Sequence, residues 1–186
     1  MDVSASGVKQ MNTHLKAIAA AAVLSLALGG MAAAQSSSSQ TTSGSATIIQ
    51  PITLTKSTDL AFGKIVRPSS GTNTVSVDEA TGARATVGGG NATLLASTVS
   101  RAAYAVAGEG GQTFSISMPA SFNMTRAGGA ETLTVTLAAT AASGTLSGSL
   151  GSAGSASFGV GGSVPLSSST ATGAYTGTFD VTVAYN

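Results

Sequence analysis

Residues Gly173 to Asn186 read as a β-strand, with period-two alternation of side chains clearest from Thr178 onward. Phe179, Val181, Val183 and Tyr185 share one parity, and Thr178, Asp180, Thr182 and Ala184 share the other. Period-two alternation in β-branched and aromatic residues specifies a half-buried strand with one face on a core. A strand running to the last residue also presents a row of backbone donors and acceptors that a partner strand can pair with. The segment therefore speaks first to architecture and assembly.

The rest of the chain agrees with a β-protein once its leader is set aside. Lys9, His14 and Lys16 precede the apolar run Ala17–Leu28, and Ala32-Ala33-Ala34 follows a glycine pair. A basic lead-in, an apolar stretch and small residues make a secretory signal, with Met11 as the expected start and cleavage expected after Ala34. The run is too short to be a membrane anchor, which needs roughly 20 apolar residues. Residues 1–34 are thus the expected signal peptide, 35–45 a Ser/Thr-rich flexible arm, and 46–186 one β domain.

Removing Lys9, Lys16 and Asp2 leaves equal numbers of basic and acidic residues, so the mature chain is near neutrality. That balance offers no basic patch for nucleic acid and no charge run for lipid headgroups, and no membrane span is expected after cleavage. The sequence has no Cys and no Trp. An exported domain of this kind must stand on packing and strand pairing alone.

Short alternating segments recur between turn residues. Ala46–Thr55 carries Ile48, Ile52 and Leu54 on one parity, with Pro51 marking an edge or bulge. Leu60 and Phe62 point one way, and Pro68–Gly71 reads as a turn. Val75 and Val77 form a short strand closed by Asp78–Gly82, and Gly88–Asn91 is a loop. Tyr104 and Val106 precede Gly108–Gly111, and Phe114 and Ile116 follow it, which predicts a hairpin. Leu133, Val135 and Leu137 alternate cleanly. Ala141–Gly159 is a Gly/Ser/Ala stretch readable as loose strand or loop. Val160–Leu166 is a further short strand. No segment after Ala34 has helical periodicity. About seven to nine strands at this spacing predict an antiparallel β-sandwich, with a barrel as the alternative. Its core would comprise Leu60, Phe62, Val75, Val77, Tyr104, Val106, Phe114, Ile116, Leu133, Val135 and Leu137, together with Phe179, Val181 and Val183.

Chemistry has little to work with. The only histidine lies in the leader, so Ser and Thr lack a base for nucleophilic catalysis. Zinc lacks Cys and His ligands. Asp78-Glu79 is the one adjacent acid pair; calcium would need more oxygen ligands than it offers, and a turn cap explains it. The glycine-rich loops lack the strand-to-helix setting of a phosphate site. Asn91-Ala-Thr and Asn123-Met-Thr fit the glycosylation sequon, which presupposes a host the sequence does not identify. Tyr104, Tyr175 and Tyr185 could stack on a carbohydrate or lie at the sheet rim. The expectation is a non-enzyme without cofactor or metal.

Asp59-Leu60-x-Phe62-Gly63-x-Ile65, Phe114–Pro119, Val160-Gly161-Gly162 and the Gly173–Tyr185 pattern together resemble the bacterial family called domain of unknown function 4402. The resemblance covers nearly all of residues 46–186. It implies an exported protein, mostly of Gram-negative bacteria, and no known activity. More distantly, Gly173 and the next-to-last Tyr185 resemble the terminal strand of chaperone–usher pilins and spore-coat-U-like subunits. That likeness implies an immunoglobulin-like sandwich lacking one strand, filled first by a periplasmic chaperone and then by the arm of the next subunit. Gly173, Phe179, Val181, Val183 and Tyr185 would then form the assembly strand, and Ile48, Ile52 and Leu54 the donor strand. Such pilins often carry a disulfide, and this chain cannot. Residues 46–55 could equally be the domain's own first strand. The two functional expectations are a structural subunit of a surface fibre or coat, and a self-contained secreted or periplasmic sandwich. The second would bind a glycan or protein through the loops at Gly88–Asn91, Gly108–Gly111 and Ala141–Gly159.

Overall fold

A computed structural model of the protein describes residues 36–186; the expected leader and its cleavage point lie outside them. The chain divides into two units at Ala46/Thr47. The described part of the first unit, 36–46, is exposed and contains no strand.

The second unit is all-β and antiparallel. Its strands are β1 (Thr53–Thr58), β2 (Ile65–Val66), β3 (Thr72–Val77), β4 (Arg84–Val87), β5 (Thr93–Leu94), β6 (Ala102–Glu109) and β7 (Thr113–Ser117). They continue with β8 (Ser121–Arg126), β9 (Thr132–Ala139), β10 (Ser143–Thr145), β11 (Ala153–Ser167), β12 (Tyr175–Thr176) and β13 (Thr182–Tyr185). These 13 strands exceed the expected seven to nine because several are two-residue pairings that leave no periodic trace. Eight form one curled sheet in the order β1-β6-β11-β9-β8-β12, with β3 and β4 joined through β11. A smaller sheet runs β10-β7-β13, and β2 pairs β5.

β11 organises the curl. Val160 pairs with both Ala102 of β6 and Ala139 of β9, so those strands lie on opposite edges of β11. Gly162 and Ser163 pair with β3 and β9 at once, which puts β3 on the edge that β6 has just left. The handover falls on Gly159–Gly162. A Cβ on Gly159 or Gly161 would overlap the backbone of the Val77–Glu79 turn lying against it, so only glycine fits there.

The core is continuous and made largely of the expected residues. Phe62, Val75, Val77, Tyr104, Val106, Phe114, Val135 and Leu137 are buried, while Leu60, Ile116, Leu133, Phe179, Val181 and Val183 pack against them partly exposed. Tyr104 stacks on Phe158 with ring centroids 5.1 Å apart, and Phe122 lies 4.9 Å from Phe179. Leu146, Phe158, Val160, Val164 and Leu166 complete the core. Residues 141–159 are therefore strand at both ends, supplying β10 and the first half of β11. Val160–Leu166 is the second half of one 15-residue strand.

Three expectations are corrected. The 103–118 hairpin does not form: β6 pairs with β1 and β11, whereas β7 pairs with β10 and β13. Both edges of β6 are occupied, and Gly111, at φ +74, lets the chain cross to the other sheet. The strand expected over 46–55 begins at Thr53 and runs on to Thr58. It is the edge strand that Pro51 suggested, with a register shift between Lys56 and Thr58. The terminal strand is two pieces, β12 in the large sheet and β13 in the small one, joined by the unpaired stretch 177–181.

Candidate functional site

The face alternation of the terminal segment persists through its unpaired stretch. Phe179, Val181, Val183 and Tyr185 are partly buried, and Thr178, Asp180, Thr182 and Ala184 are exposed. Residues 177–181 nevertheless have no backbone hydrogen bond among the described residues. β13 is paired only along its β7 edge. Asn186 donates its N–H to Thr113 O at 3.2 Å on that side. Because successive residues of a strand point to opposite edges, the N–H and C=O groups of Val181, Val183 and Tyr185 face away from β7. They face an open edge.

The strand that approaches this edge is β1, which is paired only with β6. β1 and β13 share no ladder, so a seam runs between them. Part of it is a cavity of about 250 Å³ bounded by Lys56, Asp59 and Leu60 on one side and by Gly177, Thr178 and Phe179 on the other. Tyr104, Phe122 and Met124 lie beneath. Lys56 and Asp59 pair at 2.5 Å at this rim. That hydrogen bond and charge raise the Lys56 pKa, and burial raises that of Tyr104.

At its other end the seam is closed by side chains. The Tyr185 hydroxyl donates to Gln50 O at 2.9 Å and accepts the Glu109 N–H at 2.7 Å. The Glu109 carboxylate, on a residue only 2 % exposed, accepts the Gln50 N–H at 3.1 Å and the Gly151 N–H. Both backbone groups of Gln50 are thus held by side chains where a neighbouring strand would otherwise hold them. A Cβ on Gly108 would collide with the Tyr185 hydroxyl, which is why that position is glycine. Tyr185→Phe removes the bridging hydroxyl and leaves Glu109 N–H and Gln50 O unpartnered. Thermal or denaturant unfolding should register a loss of about 1–3 kcal/mol.

The clamp also marks where the arm begins. Ile48 is 87 % exposed and Ile49 is 39 % exposed, just before Gln50. Ile52 and Leu54, grouped with Ile48 by parity, instead pack against this domain's own core. Gly173 is in the loop leading to β12, at φ +152, where a Cβ would press on Arg126 at 2.9 Å. The structure therefore brings Phe179, Val181, Val183 and Tyr185 to one edge and leaves Gly173 apart from them. Gly108 and Glu109, expected in a binding loop at Gly108–Gly111, are instead the end of β6 and part of this clamp; the link to Gln50 and Tyr185 spans residues too distant in sequence to show as a motif.

Other polar features are structural. Asp78 accepts the Ala80 and Thr81 N–H groups at 3.0 and 2.6 Å and the Thr81 hydroxyl at 2.7 Å, the turn cap its position suggested. Those bonds, led by the Thr81 hydroxyl, hold its pKa below the usual carboxylate value. A folded-state pKa that is depressed gives stabilisation present above the unfolded value and lost as pH falls through the folded one. A carboxyl-carbon NMR titration should find Asp78 still ionised where ordinary aspartates have protonated. Asn91 Oδ1 accepts the Ser69 N–H at 2.8 Å, and Asn123 Oδ1 accepts the Thr134 hydroxyl at 2.8 Å. Among the described residues no group of three or more His, Cys, Asp or Glu could hold a metal, and no helix is long and apolar enough to cross a membrane.

The described residues form an all-β, mostly antiparallel domain with a clamped edge. Residues 52–185 match the family described as Domain of unknown function (DUF4402), and the chain belongs to that family. No curated protein and no solved structure matches it.

Proposed function

We propose that this protein is an exported, non-enzymatic subunit of a bacterial surface fibre or coat, assembled by β-strand addition. The observation that carries the reading is the open edge of residues 177–185 beside β1, backed by an apolar seam. An unpaired edge over apolar side chains is a template for another strand. In this reading the domain is an immunoglobulin-like sandwich short of one strand, and the incoming strand fills the gap between β1 and β13. Phe179, Val181, Val183 and Tyr185 line the acceptor, with Gly173 in the loop leading into it.

The donor is the uncharged arm of a second copy or a related subunit. Of the donor residues Ile48, Ile52 and Leu54, Ile48 is free to reach another molecule; Ile52, just before β1, and Leu54, within it, would have to leave this domain's own core to do so. Before assembly a periplasmic chaperone would cover the edge. The leader expected over residues 1–34 would direct export, and the family resemblance points to a Gram-negative host, in which the route runs through the periplasm to the cell surface.

A second reading is favoured by the pairing of Thr53–Thr58 with β6, since the domain supplies its own first strand. It is a self-contained secreted or periplasmic sandwich that binds a glycan or protein. Deleting residues 36–49 from the mature chain separates the two. Strand addition predicts folded subunits that stay monomeric by light scattering while the intact protein forms oligomers. Oligomers of unchanged size after the deletion would refute it. An intact protein that stays monomeric on concentration would favour the self-contained domain.

A further inference from the structure

Beside the seam lies a larger chamber of about 630 Å³, a volume ordinary for a small-molecule site. Its floor includes Leu60, Ile65, Met124 and Leu133, all only partly buried, together with the buried Val164 and Leu166. One wall is the loop Thr170–Tyr175, pinned at two points. Arg67 donates to Thr170 O at 2.6 Å, and the Tyr175 hydroxyl donates to Ala171 O at 2.8 Å. The Arg67 bond ties the loop to the chain after β2, and the Tyr175 bond braces the loop internally.

The charge of the lining is one-sided. Lys64 and Arg67 are its only charged residues. Both are exposed, and neither has an ion-pair partner among the described residues. Arg67 has five N–H donors and gives one of them to Thr170 O. The Lys64 ammonium makes no hydrogen bond among the described residues. In a near-neutral chain, two uncompensated cations over an apolar floor fit a ligand with one anionic head and a flexible apolar body.

We propose that this chamber binds a free long-chain carboxylate, with the acyl chain along Leu60, Met124 and Leu133 and the head at Lys64 and Arg67. The inference does not depend on strand addition, because its supporting residues are the floor, the pinned loop and the two cations. Binding is non-covalent and needs no further reactant.

The test uses the mature chain with 11-(dansylamino)undecanoic acid as probe; the absence of Trp removes competing indole emission. The expected result is saturable 1:1 binding, displaced by myristate and not by dodecyltrimethylammonium. Lys64→Glu should weaken probe binding about tenfold. Ala174→Phe, at an exposed lining position, should fill the chamber and abolish binding with the melting temperature unchanged. Absence of saturable binding would overturn the proposal. So would equal displacement by the cationic amphiphile, or wild-type affinity in both variants.

Discussion

Replacing Gly161 with alanine should destabilise the domain by about 3 kcal/mol, the upper end of what one added carbon costs in a packed interior. The new Cβ would overlap Val77 O and lie 2.6 Å from Glu79 N and 2.9 Å from Asp78 C. All three are backbone atoms, and no rotamer change relieves them. The turn they belong to is where β3 ends and where β11 exchanges one neighbour for another, so yielding there disturbs two ladders. In a domain of this size the loss should lower the melting temperature by roughly 10 °C. Gly162→Ala is the comparison. Its Cβ would meet Thr136 O and a Val135 methyl at 3.0 Å and a Leu60 methyl at 3.3 Å, so two of three neighbours can give. It should cost about 1 kcal/mol. Equal melting temperatures for the two variants would contradict the account of β11 as a strand with a backbone pressed against one face.

Val181→Pro should abolish assembly while leaving a folded subunit. The Val181 N–H points to the open edge and makes no bond in the subunit, so proline removes a donor that only an incoming strand would use. The monomer loses some packing of a partly buried side chain, about 1–2 kcal/mol, and should still melt cooperatively. Val181→Thr keeps the N–H and a similar shape, and should retain oligomers. Oligomers from Val181→Pro equal to the wild type in size and amount would show that the edge is not used. Loss in both variants would instead mean that the side chain, and not the backbone edge, makes the contact.

What could be read from the sequence and what could not differ for physical reasons. The inward set Phe179, Val181, Val183 and Tyr185 was legible, because period two reports which face a residue takes. The same period is silent on whether a ladder partner exists, so the break at 177–181 left no mark. Phe114 and Ile116 were placed on a strand correctly, yet given the wrong neighbour. A glycine-rich link reads the same whether it returns a strand beside its predecessor or carries it to another sheet. Leu146 and Phe158 were hidden for another reason: single apolar residues in a Ser/Gly/Ala stretch generate no pattern. Ile48, Ile52 and Leu54 share a parity, but the clamp at Gln50 divides them, leaving Ile48 exposed and the other two packed against this domain's own core. That clamp joins positions 50, 109, 151 and 185, and no local motif could announce it.

The central claim is that the edge formed by residues 177–185 receives the arm of another molecule. A photo-crosslinking residue in place of Ile48, in native material mixed from isotope-labelled and unlabelled chains, reports the contact directly. Strand addition predicts crosslinks between differently labelled chains that map by mass spectrometry to residues 177–185 or to the facing part of β1. Crosslinks confined to single chains, or intermolecular ones that map elsewhere on the domain, would contradict it.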